Sequence, residues 1–401
     1  MDINKIRQDF PLLQNKINGK PIIYFDNACM SLKPIQVIDK INYYYKELSS
    51  CGERAHHKLG KMVDDEVEKS RNNIRRLINA KDEKEIVFTK NTTESINLVS
   101  NSFGLKQGDV VIISDKEHNS NLLPWLELKR KQKIILKIVG TKTDNTLDME
   151  DFKTKVKGAK LVSMVHTSNI DGVTNNAKEI IKIAHEEKAK VLLDGAQSVP
   201  HTNVNVKNLD VDFLAFSGHK MLGPTATGVL YAKKDVLEKL EPFVVGGGTV
   251  DDSNYESAKF QSGPQKFEAG LQNYAGIIGL GEAANYLMRI GYDTIKKQEL
   301  LINKKITSEL TNYVEIIGPP FAEERSGIFS FISKDIDHHE IAIMLDNSAN
   351  IIIRSGAHCV HSWFNKNKSL GTARASFYFY NTIEEADIFV RQVKKMLEML
   401  K

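Results

Sequence analysis

Six short apolar runs, spaced along the middle of the chain and separated by amphipathic stretches, constrain this sequence more than any other feature. Glu85–Thr89, Val110–Ser114, Ile134–Val139, Leu161–His166, Val191–Asp194 and Phe213–Phe216 read as strands. Between them, segments such as Thr93–Asn101 and Ala177–Lys188 repeat apolar residues at helical spacing. Strands that are apolar on both faces need helices on both sides of the sheet, and parallel neighbours need a crossover long enough to hold one. The pattern predicts an α/β fold: a large domain with a mostly parallel sheet sandwiched by helices, plus a smaller α+β C-terminal domain. At 401 residues the chain is too long for one small core.

The texture changes after about Gly281. A long helical region, Leu280 to Leu310, precedes alternating short strands and helices, with a break at Gly318-Pro319-Pro320. The large domain is expected over residues 21–289. Residues 1–20, with a helix over Ile3–Phe10, are expected to join 290–401 in the small domain.

Bulk properties narrow the function classes. The net charge of +4 comes from lysines dispersed among acids, as in Glu186-Glu187-Lys188, so no concentrated basic face for nucleic acid is expected. No apolar run approaches bilayer-crossing length, and the first residues lack the apolar core of a signal peptide. Cys29, Cys51 and Cys359 are too few and too far apart for a disulfide framework or a metal pattern. A reducing compartment, the cytoplasm, is expected.

In open α/β sheets ligands gather beyond the carboxyl ends of strands, so residues just after each run carry the chemistry. Val191-Leu192-Leu193 delivers Asp194, and Gly195 turns the chain. Phe213-Leu214-Ala215-Phe216 runs into Ser217-Gly218-His219-Lys220, where a partly desolvated lysine would be a competent Schiff-base amine. Asn91-Thr92-Thr93-Glu94 opens a helix; Asn91 with Glu94 reads as a capping box, and the free amides and hydroxyls there suit a phosphate. Singly these are a turn aspartate, a surface lysine and a helix cap.

Asp-Gly-Ala-Gln followed by Ser-Gly-His-Lys resembles the class-V aminotransferase-like family of fold-type I pyridoxal-phosphate enzymes, across essentially the whole chain. The resemblance implies that Lys220 carries the cofactor covalently, Asp194 pairs with its pyridinium nitrogen and Gln197 meets its phenolic oxygen. Thr92, Thr93, Ser217 and His219 would hold the phosphate, and His118 would stack on the ring and assist catalysis. Ile353-Arg354-Ser355-Gly356-Ala357-His358-Cys359 looks like the Arg-x-Gly-x-x-Cys segment of SufS-like cysteine desulfurases, with Cys359 as the sulfur acceptor. Arg374, fifteen residues on, matches their substrate-carboxylate arginine; a planar guanidinium suits a carboxylate because it makes two parallel charged hydrogen bonds. Arg354 and His358 beside Cys359 are expected to favour the thiolate.

The same resemblance assigns Arg354, Asn169, His57 (in Arg54-Ala55-His56-His57) and Ala28 to substrate binding. It places Thr249, in Gly246-Gly247-Gly248-Thr249, at the phosphate of a neighbouring subunit in a homodimer. The implied reaction converts L-cysteine, with L-selenocysteine as a second substrate, to L-alanine and a persulfide. A sulfur-acceptor protein would then collect the sulfur for iron–sulfur cluster assembly.

Two segments depart from that family. Asp26-Asn27-Ala28-Cys29-Met30 stands where the family usually has Asp-x-Ala-Ala; a Cys29 lining the pocket would bear on substrate fit or a second sulfur relay, but a buried small side chain is the favoured expectation. Val360-His361-Ser362-Trp363 replaces a small residue and proline. Asp337-His338-His339-Glu340 imitates a metal cluster, but an aspartate cap opening a helix explains it; no metal is expected.

Overall fold

The computed structural model describes residues 2–399 except Arg54. Seven strands form the central sheet: β1 (Ile86–Thr89), β2 (Val110–Ser114), β3 (Ile135–Val139), β4 (Ala159–Val165), β5 (Lys190–Asp194), β6 (Phe213–Ser217) and β7 (Gly228–Ala232). Their spatial order is β1-β7-β6-β5-β4-β2-β3. The neighbours from β6 to β3 are parallel, while β7 runs antiparallel to both β1 and β6. The six expected strands are present to within two residues at each end. The seventh, Gly228–Ala232, has no counterpart among the sequence expectations.

Side chains alternate across the sheet and build two cores. Ile112, Val162, Leu193, Leu214 and Val229 face one side, where helices Ala177–Glu186 and Tyr274–Ile290 cover them. Val111, Leu161, Leu192, Phe213 and Leu230 face the other, under helices Thr92–Ser102 and Asn119–Gln132. Burial on both faces is the physical reason the strands read as unbroken apolar runs.

The long helical region is two helices, Tyr274–Ile290 and Tyr292–Leu310. Gly291 separates them at φ +82°, a conformation that favours glycine. Beyond it an antiparallel sheet, ordered Glu315–Ile317, Ile328–Ile332, Thr372–Ser376 and Arg354–Gly356, packs with helices Tyr292–Leu310, His338–Ala349 and Ile383–Glu398. Ile302, Phe329, Phe331, Leu345 and Phe389 fill the core between them.

The N-terminal segment joins both parts. Its helix is shorter than expected, Ile3–Arg7. Phe10 is fully buried with Tyr286, Phe379 and Tyr380 in the larger core, a burial that contributes about 2–3 kcal/mol. Arg7 pairs with Glu385 at 2.8 Å. Ile23–Tyr24 then runs parallel to Ile351–Ile352, which brings Asp26 and Cys29 to the seam between the two sheets.

Candidate active site

Parallel register aligns the carboxyl ends of β4, β5 and β6 on one edge of the sheet, because Val165 pairs with Asp194 and Asp194 with Ala215. The antiparallel β7 starts at that edge, with Gly228 opposite both Ser217 and Thr89. The loops leaving β1, β2, β4, β5 and β6 therefore converge. They enclose a cavity of about 300 Å³, closed on its other side by Ala28, Cys29 and the segment from Arg354 to Cys359.

At the β5 end, Asp194 is buried and accepts from the Ala196 amide at 2.9 Å. Burial raises its pKa, and the Ala196 hydrogen bond and the nearby Lys220 oppose that rise. A buried carboxyl of this kind favours an N–H or cationic partner across the cavity. Gln197 donates to Ala28 O at 2.7 Å and leaves its buried Oε1 without a partner. Lys220 ends the short 3₁₀ turn after β6, and desolvation lowers its pKa, with Asp194 opposing. An amine so placed is neutral for more of the time and more nucleophilic.

At the β1 end, Asn91 caps helix Thr92–Ser102 by accepting from Glu94 N at 2.9 Å. The reciprocal arm of the expected box is altered: Glu94 reaches the amide of Lys90, not that of Asn91. The Thr92 amide and hydroxyl both meet Ser217 Oγ, at 2.9 and 2.7 Å. Thr93 Oγ1 lies 2.7 Å from Ser120 Oγ. Hydroxyls at a helix N-terminus make an anion site. Gly228 permits this closeness, since a Cβ there would lie 2.5 Å from Asn91 Cα.

His118 follows β2. Its Nδ1 accepts from the Ser120 amide at 3.1 Å, which places the ring proton on Nε2, and burial followed by the Lys220 charge pushes its pKa down to about 3. The ring is neutral and apolar-faced, suited to lie on an aromatic cofactor. Behind it Glu117 is fully buried and accepts from Ser114, Val165 and Asn121, fixing the loop to β4.

Arg374, on the strand Thr372–Ser376, is buried; its Nη1 donates to Asn169 O at 2.8 Å and its Nε has no partner. Cys359 is exposed on a loop in which His358 and Cys359 both hold left-handed backbone, φ +48° and +59°. Asn119 N donates to Cys359 O and Asn169 Nδ2 to His358 O, so loops of the large sheet pin the cysteine loop at the cavity.

Most of the site residues read from the sequence line this cavity: Lys220, Cys359, His118, Asp194, Gln197, Thr92, Thr93, Ser217, His219, Arg374, Arg354, Asn169 and Ala28. Two do not. His57 caps the helix Lys58–Leu77 through Nδ1, accepting from Gly60 N; Arg54 of the same segment lies outside the described residues. Thr249 is buried in its own turn, donating to Gly246 O.

Three details correct the sequence reading. Cys29 is half-exposed and lines the cavity, where a buried side chain was expected. The Arg354 guanidinium turns to Asp26, at 2.7 Å, and to Cys29 Sγ, at 2.8 Å. His358 is held neutral, its pKa pushed to about 2 by burial and then by Arg374, so it brings no charge to Cys359. Sequence reasoning also missed Thr167, Val165 and Ser120 in the lining; Val165 ends β4 and Thr167 follows it, so both sit where the same after-strand rule looks. Asp337 caps the helix His338–Ala349, accepting from His339 N at 2.8 Å, as expected.

A buried acid, a desolvated lysine and a helix start suited to an anion, set at the carboxyl edge of a mostly parallel sheet, define a class of enzyme. The chain belongs to the class-V aminotransferase family, whose model matches residues 23–389. Relatives within that family include probable cysteine desulfurases. A probable cysteine desulfurase of Halalkalibacterium halodurans is 40% identical, covering 99% of this chain and 98% of the relative. One from Staphylococcus aureus (strain COL) is 39% identical over 99% and 97%. Among solved structures, the apo cysteine desulfurase of Thermococcus onnurineus NA1 superposes with a TM-score of 0.94 at 39% identity, covering 99% of this chain and 98% of the other. The cysteine desulfurase CsdA of Escherichia coli gives 0.91 at 29%, covering both chains fully.

Proposed function

We propose that this chain is a pyridoxal-phosphate-dependent cysteine desulfurase that converts L-cysteine to L-alanine and leaves the sulfur as a persulfide on Cys359. The observation that carries the reading is a single cavity shared by Lys220, Asp194, Arg374 and Cys359. The lining fits the cofactor: Asp194 is an acid in need of an N–H partner, Gln197 Oε1 is buried and unpartnered, and the Thr92–Ser217 hydroxyl pair opens a helix.

When bound, pyridoxal phosphate supplies an electron sink for charge developing at the substrate's α-carbon. Asp194 would pair with the cofactor's ring nitrogen and favour its protonated form. Lys220 would hold the cofactor covalently, and its desolvated amine is the base that would move the proton at the substrate's α-carbon. Arg374 offers its free Nε and buried guanidinium to the substrate carboxylate, which fixes the orientation of the side chain to be attacked. The exposed Cys359 thiol, on its pinned loop, takes the sulfur. L-selenocysteine fits the same contacts as a second substrate.

The working unit we infer is a homodimer. Val244, Val245, Tyr255 and Leu271 are exposed around the Gly246–Thr249 turn, an apolar surface that a second copy would cover and from which the turn would reach the neighbour's phosphate. A sulfur-acceptor protein meets the exposed Cys359 loop and carries sulfur to iron–sulfur cluster assembly, in the cytoplasm. Among the described residues no helix is long and apolar enough to cross a membrane. The division into residues 21–289 and 1–20 with 290–401 is supported by the break at Gly291 and by the Arg7–Glu385 pair.

The test is product analysis with L-cysteine. Wild type should release alanine and sulfide, and borohydride should fix the cofactor to Lys220. Lys220→Ala should lose several powers of ten in turnover. Cys359→Ala should retain the cofactor's colour while losing persulfide and nearly all sulfide release. Keto-acid in place of alanine, reduction onto another lysine, or wild-type desulfuration by Cys359→Ala would overturn the reading.

A further inference from the structure

Cys29 is a second thiol in the cavity that the desulfurase reading does not use. It is half-exposed and lines the same walls as Lys220 and Cys359, and a charge on either cysteine acts on Lys220. Its Sγ takes a hydrogen bond from Arg354 Nη2 at 2.8 Å. Asp26 holds that guanidinium in place at 2.7 Å and lies 3.7 Å from Arg374. The Lys33 ammonium, which donates to the Ser31 and His219 carbonyls, adds positive charge to the same corner. A second observation marks the corner as a place an anion enters: Arg374 Nε is buried, lines the cavity and has no partner.

Guanidinium donors suit anionic sulfur acceptors, a persulfide anion among them. A persulfide on Cys359 projects its outer sulfur about 2 Å beyond Sγ. It is carried by a loop whose two successive left-handed residues make its conformation costly to hold.

We infer that Cys29 is a second sulfur carrier, receiving the sulfane sulfur from Cys359 within the same chain; the inference rests on the desulfurase reading. The Cys29 thiolate attacks the outer sulfur of the Cys359 persulfide. A new S–S bond forms at Cys29, the S–S bond at Cys359 breaks, and its electron pair leaves on Cys359 Sγ as thiolate. One persulfide and one thiolate go in and one of each comes out, so no oxidant or reductant is needed. Cys359 is then free for a second turnover, and each chain stores two sulfurs.

The experiment loads the holoenzyme with excess L-cysteine without reductant or acceptor. It counts alanine per chain in the burst and maps alkylated persulfides by peptide mass spectrometry. Wild type should give a burst of two, with one sulfane sulfur on each of Cys29 and Cys359. Cys29→Ala and Cys29→Ser should give a burst of one, and Cys359→Ala should leave Cys29 unlabelled. A wild-type burst of one with an unmodified Cys29 peptide, two sulfurs chained on Cys359, or a label on Cys29 in Cys359→Ala would each overturn the proposal. No alanine from wild type would instead remove the desulfurase reading on which it rests.

Discussion

Asp26 and Arg354 meet as an ion pair 2.7 Å long although 328 residues separate them in sequence. The pair ties the segment after Tyr24 to the strand that leads into the Cys359 loop, and it leaves the second Asp26 oxygen 3.7 Å from Arg374. One carboxylate thus sets two guanidinium groups at the mouth of the cavity.

Asp26→Asn should loosen both arginines while keeping the shape of the site. Arg354 is half exposed, so the full cost of a broken buried pair does not apply; a loss of about 1–2 kcal/mol in substrate binding, roughly tenfold in KM, is expected. With Arg374 in its proposed place on the substrate carboxylate and not on the proton transfer, kcat should change less than KM. Steady-state alanine formation separates the two, and a variant with unchanged KM would show that Asp26 does not position the arginines.

Ser217 Oγ partners both the amide and the hydroxyl of Thr92 at the helix start. Ser217→Ala removes that oxygen and leaves the Thr92 amide and hydroxyl without it. Charge-assisted hydrogen bonds contribute about 1.5–3 kcal/mol each, so cofactor retention should weaken roughly 10- to 100-fold. Equilibrium dialysis followed by absorbance of the retained cofactor measures this; wild-type retention would mean the phosphate sits elsewhere.

Gly228 lets β7 pass the Asn91 turn, where a Cβ would stand 2.5 to 2.8 Å from three backbone atoms of Asn91. Backbone cannot rotate away as a side chain can. Gly228→Ala should therefore cost about 1–3 kcal/mol of stability, as overpacking does, and should weaken cofactor binding through the displaced Thr92. A urea unfolding midpoint and cofactor affinity both equal to wild type would contradict the close approach.

His166, whose amide donates to Asp194 O, is buried with Nδ1 unpartnered, and burial holds its pKa down to about 4. The unfolded chain takes up this proton near pH 6.5, while the fold resists it until about 4. The stabilisation is therefore complete above 6.5 and is lost as pH falls toward 4, at no more than about 1.4 kcal/mol per pH unit. His118 acts in the same direction. Glu117, raised to about 7 chiefly by burial, acts oppositely: its contribution is complete below 4.5 and fades as pH rises to 7. His166→Gln should flatten the decline in unfolding free energy between pH 6.5 and 4.5; a slope identical to wild type would rule out this source.

Much of the site was legible because it obeys a local rule. Asp194, Ser217 and His118 all follow apolar runs, and a parallel register brings such positions to one edge whatever the details of packing. The expected strands were recoverable for a related reason. Burial on both faces leaves a run of apolar residues that remains visible without any neighbour. Gly228–Ala232 is equally buried, but nothing local says that it inserts antiparallel between β1 and β6.

What the sequence determined by itself was the α/β architecture, the hydroxyl-bearing helix start, the acid and lysine after their strands and the cysteine loop, since each is written in contiguous residues. Only the tertiary structure decided where long side chains point. Arg354 stands five positions before Cys359, yet its guanidinium goes to Asp26 and Cys29; His358 adjoins Cys359, yet its ring goes to Thr372 and stays neutral. His57 became a helix cap and Thr249 closed its own turn, while Cys29 opened into the cavity. The physical reason is that a charge or thiol takes the partner nearest in space, and a partner 328 residues away is fixed by the packing of two sheets and not by sequence spacing.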